Sequence, residues 1–339
     1  MKARSELGIW SLALLLLLGC TDALGARQEV IQSQVPESDN GFTCSADGAP
    51  PIRTVQPTTR RPFCEQGHVL SFDQGGITRY ACLNLPRQAG EEQSQIAGKR
   101  WPLLIYLHGS LTTPDSLYTV GRGLFNLHHV YPLSGDPGVL GFIILSPEGR
   151  KAVPWPSSSG PETGWGFHWD SWYRNPTDNL DALAIDHFVN EVASTRPVDP
   201  ARVYVYGWSN GAYMAALYGV WRGNRIAAIA QYAGADTWSR DPCPVPFQYD
   251  RQVPLVLLRN LCDALVPCDA TNEWIDTLTG QSWPFEYHSL NLTGTKSDQN
   301  RVCIEPCIRA RGLFEHVRWP AEDVLAEDML AFLKQHALP

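Results

Sequence analysis

Ser209 stands in Gly207-Trp208-Ser209-Asn210-Gly211, a Gly-x-Ser-x-Gly pattern whose serine is a candidate nucleophile for acyl transfer. Three fixed positions in five recur by chance, so the setting decides. Directly before it, Arg202-Val203-Tyr204-Val205-Tyr206 reads as a strand, and Ala212 to Val220 after it reads as a small-residue helix. A strand, a tight turn and a helix in that order lift a serine hydroxyl above a sheet edge. The flanking glycines belong there because neighbouring backbone packs too closely for a Cβ.

A serine hydroxyl needs a base to take its proton, and the base needs a carboxylate to orient it. The expected chain order is serine, acid, histidine. Asp263 follows the strand-like run Val253 to Leu258, within Asn260-Leu261-Cys262-Asp263-Ala264-Leu265-Val266-Pro267, and is the expected acid; Asp269 is the alternative. Of nine histidines, His288, His316 and His336 lie farther along. His288 sits in a strand-like stretch, Glu286 to Leu290, and His336 on the terminal helix. His316, in the loop Gly312 to Pro320 before that helix, is the expected base. An oxyanion needs aimed N–H donors. The backbone N–H of Asn210 is one candidate, and that of Ser110, or else Leu111, is the other. This chemistry needs no metal and no cofactor.

The elements that must position these groups alternate between strand and helix. Arg79 to Leu85 reads as an early strand, and Pro102 to Leu107 and Gly141 to Leu145 are continuous apolar runs. Asn179 to Thr195 has helical spacing, stopped by Val198-Asp199-Pro200. Ile226 to Ala230 and Val253 to Leu258 are further strands, and Glu322 to His336 is a closing amphipathic helix. Such alternation predicts an α/β fold, a mostly parallel sheet with helices on both faces. The 339 residues, 44% of them apolar, suffice for one large core. A net charge of −8 leaves no basic face for nucleic acid.

The amino terminus reads as an export address over residues 1–20. Lys2 and Arg4 form a basic head, although Glu6 is out of place there, and Leu12 to Leu18 is an apolar run too short to span a membrane. Leu17-Leu18-Gly19-Cys20 resembles a bacterial lipobox, which predicts lipidation of Cys20 and attachment to an outer membrane or cell surface. A plainly cleaved signal, giving a periplasmic or secreted protein, is the alternative. Residues 21–65 are rich in Ser, Pro, Thr and Gln and read as a tether or lead-in to a catalytic domain over 66–339. Setting Cys20 aside leaves eight of the nine cysteines, an even count that predicts disulfides. The absence of a tight Cys-x-x-Cys pair argues against zinc. Cys262 and Cys268 flank the expected acid, while Cys303 and Cys307 precede His316. If acid and base meet, a disulfide should join one of the first pair to one of the second, unless each pair closes locally.

Several segments together resemble the α/β-hydrolase esterases grouped with polyhydroxybutyrate depolymerases and feruloyl esterases. They are Gly76 to Tyr80, Leu107-His108-Gly109, Val198 to Val205, Gly207 to Gly211, Tyr232-Ala233-Gly234, Cys262-Asp263 with Val266-Pro267, and His316 with Trp319-Pro320. The Asp-Pro-x-Arg-Val-Tyr-Val strand entering Gly-x-Ser-Asn-Gly is the most specific. The resemblance covers about Gly75 to the end and implies Ser209, Asp263 and His316 as a catalytic triad. Three positions depart from the pattern. Ala212 replaces a second glycine, Leu313-Phe314-Glu315 replaces a Gly-rich run, and Asn260 stands where the acid loop ordinarily begins with Gly.

The expected activity is hydrolysis of small or oligomeric carboxylic esters through an acyl-enzyme. A peptidase or acyltransferase on the same fold, or a silent binding lipoprotein, is the alternative. Trp165, Trp169 and Trp208 are candidates for a substrate pocket, with an ordinary packed loop as the competing reading for the first two and, for Trp208, an elbow position that points it towards the sheet interior. Asn291-Leu292-Thr293 is a glycosylation sequon, expected to be idle on a bacterial lipoprotein.

Overall fold

The computed structural model describes residues 44–52, 54, 61–90, 98–152, 166–238, 243, 249–292, 307 and 313–339. The expected export signal, most of the lead-in, Trp165, Thr293 of the sequon and Cys303 lie outside these residues.

Ten strands are described: β1 (His68–Gln74), β2 (Ile77–Asn84), β3 (Trp101–Leu107), β4 (Ile143–Pro147), β5 (Arg150–Ala152), β6 (Gly166–His168), β7 (Val198–Trp208), β8 (Ala228–Tyr232), β9 (Leu255–Asn260) and β10 (Phe285–Leu290). Eight of them form one sheet in the order β1-β2-β4-β3-β7-β8-β9-β10. The pairings β1–β2 and β2–β4 are antiparallel, and every pairing from β4 to β10 is parallel.

Side chains alternate across a strand, so an apolar run feeds two cores. Leu103, Ile105 and Leu107 of β3 pack with Ile185 and Phe188 of α1 (Leu180–Thr195) and Met214 and Leu217 of α2 (Asn210–Trp221). Leu104 and Tyr106 face the other way, onto Leu117, Leu124 and the closing helix residues Leu325, Met329 and Leu333. Two helical layers around a mostly parallel sheet, with a strand–serine–helix turn at β7–α2, constitute the α/β-hydrolase fold.

Helix α1 begins where its sequence says it should, with the Asn179 side chain accepting from the N–H groups of Asp181 and Ala182. Val198-Asp199-Pro200, which ends that helix, also opens β7. The register against β3 slips between the pairs Trp101–Val198 and Leu103–Val203, which accommodates a proline without a donor. Strand β8 starts two residues later than the apolar run suggests, because the Ile226 carbonyl is taken by the Arg251 guanidinium. Strand β1, helix α3 (Cys268–Gly280) and the β5–β6 hairpin were not anticipated.

Part of the stretch expected as a tether is docked on the domain. Ala49 and Ile52 are buried, the Ile52 N–H donates to Asp170, and Cys44 is bonded to Cys243. Arg150 also reaches the Ile52 carbonyl while pairing with buried Asp181, which takes Arg79 as well. Cys64–Cys82 and Cys268–Cys307 are further disulfides, and Cys262 is disulfide-bonded too. These bonds mark an extracytoplasmic protein. No helix among the described residues is long and apolar enough to cross a membrane.

Candidate active site

Ser209 has φ 56° and ψ −125°, a left-handed conformation that costs a non-glycine residue about 1–3 kcal/mol. The turn is held from both sides. Ser209 N–H donates to the Tyr232 carbonyl on β8 at 3.0 Å, and the Ser209 carbonyl accepts from Ala212 N–H at 2.8 Å. A Cβ on Gly207 would lie 1.9 Å from the Gly211 carbonyl oxygen, and one on Gly211 would lie 2.1 Å from that of Leu107. Both glycines are therefore obligatory. Ala212, a departure from the family pattern, has its methyl group directly over Gly234, where an added Cβ would meet it at 2.5 Å.

The structure brings Ser209, His316 and Asp263 into one hydrogen-bonded chain. His316 Nε2 lies 2.8 Å from Ser209 Oγ, and His316 Nδ1 lies 2.7 Å from Asp263 Oδ2. The other carboxylate oxygen, Oδ1, accepts from the N–H groups of Leu265 and Val266 at 2.8 and 3.0 Å. One oxygen thus belongs to the acid loop and the other to the imidazole. A carboxylate at Nδ1 holds the ring proton there and leaves the Nε2 lone pair for the hydroxyl. The alternatives lie elsewhere. Asp269 is exposed on the first turn of α3, His288 contacts Asp328 beside edge strand β10, and His336 caps the closing helix.

His316 ends the short helix α4 (Leu313–His316), and its loop is pinned by several elements. The Trp208 indole N–H donates to the His316 carbonyl at 3.2 Å. Trp319 packs among Tyr106, Tyr206, Trp208 and Tyr232. Cys307 is bonded to Cys268 and donates its N–H to the Leu261 carbonyl at 2.8 Å. The expected cross-link between the acid and histidine segments is therefore formed by Cys268–Cys307.

Two backbone N–H groups are aimed by the carbonyls of their own peptide planes, because C=O and N–H point oppositely across a trans peptide. The Ser209 carbonyl is fixed inside the first turn of α2, which turns the Asn210 N–H outward. The Gly109 carbonyl accepts from Thr112 Oγ1 and faces His108 Nδ1, both at 2.8 Å, which directs the Ser110 N–H the opposite way. His108 is fully buried, and its Nε2 accepts from Gly149 N–H at 2.9 Å, so the ring proton sits on Nδ1. Burial pushes His108 down to about 4, which keeps the ring neutral. Leu111, the alternative donor, has its N–H committed to the Phe167 carbonyl at 2.9 Å.

For Trp169 and Trp208 the competing readings hold, a packed loop residue and an interior-facing one, and not the pocket wall. Trp169 is 1% exposed and donates its indole N–H to the His108 carbonyl, while its backbone is held by the Asn210 side chain. Trp208 is 3% exposed and lies beneath His316. Neither indole forms an open pocket wall; both build the floor that supports the site. Aromatic composition alone does not reveal which way a ring faces. Sequence reasoning also missed Asn260, whose side chain bonds to the Glu315 carbonyl. The signal was there, since Asn260 was one of the three departures from the family pattern.

No protein-family model matches the chain, and no curated protein matches its sequence. Among solved structures it is similar to a thermostable esterase at 14% identity and a TM-score of 0.49, covering 80% of this chain. The chain spans 64% of that esterase's length. It is similar to a ferulic acid esterase from the anaerobic fungus Anaeromyces mucronatus at 14% identity and TM-score 0.49, with 87% and 97% of the two chains covered. An S-formylglutathione hydrolase from Staphylococcus aureus gives 14% identity and TM-score 0.43, with 66% and 89% covered.

Proposed function

We propose that the protein is a serine hydrolase that cleaves carboxylic esters through an acyl-enzyme. The observation that carries this reading is the unbroken Ser209–His316–Asp263 hydrogen-bond chain, at 2.8 and 2.7 Å. Ser209 Oγ attacks the ester carbonyl while His316 Nε2 takes its proton, and Asp263 stabilises the imidazolium. The Asn210 and Ser110 N–H groups receive the oxyanion. Collapse expels the alcohol, protonated by His316, and water then repeats the sequence to release the acid. The motif resemblance supports ester substrates of feruloyl or hydroxyalkanoate type.

A fluorophosphonate probe should label the wild type and not Ser209→Ala. Turnover should then appear with aryl esters, methyl ferulate or hydroxybutyrate oligomers. Labelling with cleavage of peptides alone would make the protein a peptidase, and no labelling would make it a binding module.

His108 is expected to matter through the peptide it aims. His108→Leu should lower kcat by about 10²-fold at nearly constant KM, the scale of losing one oxyanion donor. Steady-state kinetics on folded protein would measure this, and an unchanged kcat would mean that Ser110 N–H is aimed without the imidazole.

We also propose a lipid anchor at Cys20, supported by the basic head, the Leu run and Leu17-Leu18-Gly19-Cys20. Expressed in a bacterium, the protein should fractionate with membranes and incorporate labelled fatty acid, and Cys20→Ser should block both. A lipid-free soluble wild type would leave only a cleaved signal.

A further inference from the structure

Asn260 is 3% exposed, and every hydrogen-bonding position of its side chain is filled. Its Oδ1 accepts from the N–H groups of Cys262 and Leu292 at 3.2 and 2.9 Å. Its Nδ2 donates to the carbonyls of Leu292 and Glu315, both at 3.0 Å. Its own carbonyl accepts from Asp263 N–H at 3.0 Å. One residue at the end of a sheet strand therefore touches the acid turn, the continuation of β10 and the peptide immediately before His316.

The Glu315 carbonyl belongs to the Glu315–His316 peptide, and the His316 carbonyl to the next one. Asn260, at the end of β9, holds the first, and Trp208, at the end of β7, holds the second. Both planes flanking the imidazole-bearing Cα are thereby tied to the parallel sheet. The same asparagine fixes the turn that presents Asp263, so the spacing between acid and base is set from one anchor. Two departures from the family pattern, Asn260 and the Leu313-Phe314-Glu315 run, meet in this single bond.

We infer that Asn260 is a positioning residue for the Asp263–His316 pair, an inference that rests on the serine-hydrolase reading. Misplacing such a pair by about 1 Å costs roughly 10²-fold in rate, and a side chain that only staples the fold would lower stability without touching turnover. Asn260→Asp keeps the shape and the Oδ1 acceptor but sets an oxygen against the Glu315 carbonyl. Asn260→Gly deletes the side chain without adding charge.

The test is kcat per fluorophosphonate-titratable site, which counts only folded sites. Both variants should lose about 10- to 100-fold in kcat, with KM changed less than about twofold. Tyr204→Phe, which removes the part-buried hydrogen bonds to the His336 carbonyl and from Arg202, outside the site, should leave kcat per site unchanged. Wild-type kcat per site in both Asn260 variants, or a loss confined to KM, would overturn the positioning role. Ser209→Ala, which has no titratable site and is assayed per mole of folded protein, separates the two readings. If it is inactive while the Asn260 variants are normal, only the positioning role fails; if it still turns over, the hydrolase reading fails first.

Discussion

Ser209→Ala and His316→Ala should each lower ester hydrolysis by about 10⁴-fold or more, and the double variant should cost little beyond either alone. The near-identity of single and double losses follows from the geometry, because nucleophile and base share one proton path through His316 Nε2. Asp263→Asn should lose a comparable factor for a different reason. Oδ1 is fixed by two N–H donors, so an asparagine must keep its oxygen there and turn its NH₂ towards His316 Nδ1. That nitrogen must then accept, and the ring proton moves to Nε2, facing Ser209 where a lone pair is needed. The variant would fold with the wrong tautomer. Asp269→Asn, on the exposed face of α3, should be unaffected. Comparison of kcat/KM across these folded variants decides the assignment, and wild-type turnover in Asp263→Asn would break it.

Much of this arrangement is legible in the sequence because the deciding patterns are local. Continuous apolar runs announce β3, β4 and β9, and the glycines around Ser209 announce a turn too tight for a Cβ. The order of Ser209, Asp263 and His316 follows from the topology that those elements impose. Other features depend on contacts distant in the chain. Helix α3 buries Ala270, Trp274 and Leu278 at four-residue intervals, a sparse stripe hidden by the polar residues between them. The docking of residues 44–52 depends on Asp170, Arg150 and a disulfide spanning 199 residues. The inward orientation of Trp208 follows from its place in the elbow, whereas that of Trp169 is set by a hydrogen bond to the His108 carbonyl, which no local spacing encodes.

Stability should peak near pH 6.5 and fall steeply on the acid side. His108, His128 and His168 are all buried, and burial pushes each from 6.5 to about 4. Loss of hydration is the main cause in each case, and in His128 it outweighs the bond to the Phe125 carbonyl, which favours the charged ring. Charging His108 would also set an N–H against the Gly149 N–H that Nε2 now accepts, and His168 Nε2 has no partner among the described residues. Between pH 6.5 and 4 the unfolded chain takes up protons that the folded protein refuses. The stability these rings contribute is therefore complete above pH 6.5 and lost as the pH falls towards 4, by about 3 kcal/mol for each ring. Glu148 opposes them. Burial raises it from 4.5 to about 8, so its contribution is complete below pH 4.5 and lost as the pH rises through 8. Between pH 6.5 and 4.5 these three rings against Glu148 give a net slope of about 2.7 kcal/mol per pH unit. His129 and His336, lowered by burial, add to it, and Asp170, raised by burial, subtracts from it. Between pH 6.5 and 8 Glu148 loses its proton in the unfolded chain but keeps it in the folded protein, and stability should decline by about 1.4 kcal/mol per pH unit. Urea unfolding from pH 4.5 to 8 would trace this dome. His128→Gln should reduce the acid-side slope by about 1.4 kcal/mol per pH unit, and Glu148→Gln should remove the same amount from the decline above pH 6.5. A stability that stays flat from pH 6.5 to 4.5 would mean that these three rings are charged, or reach water, in the folded protein.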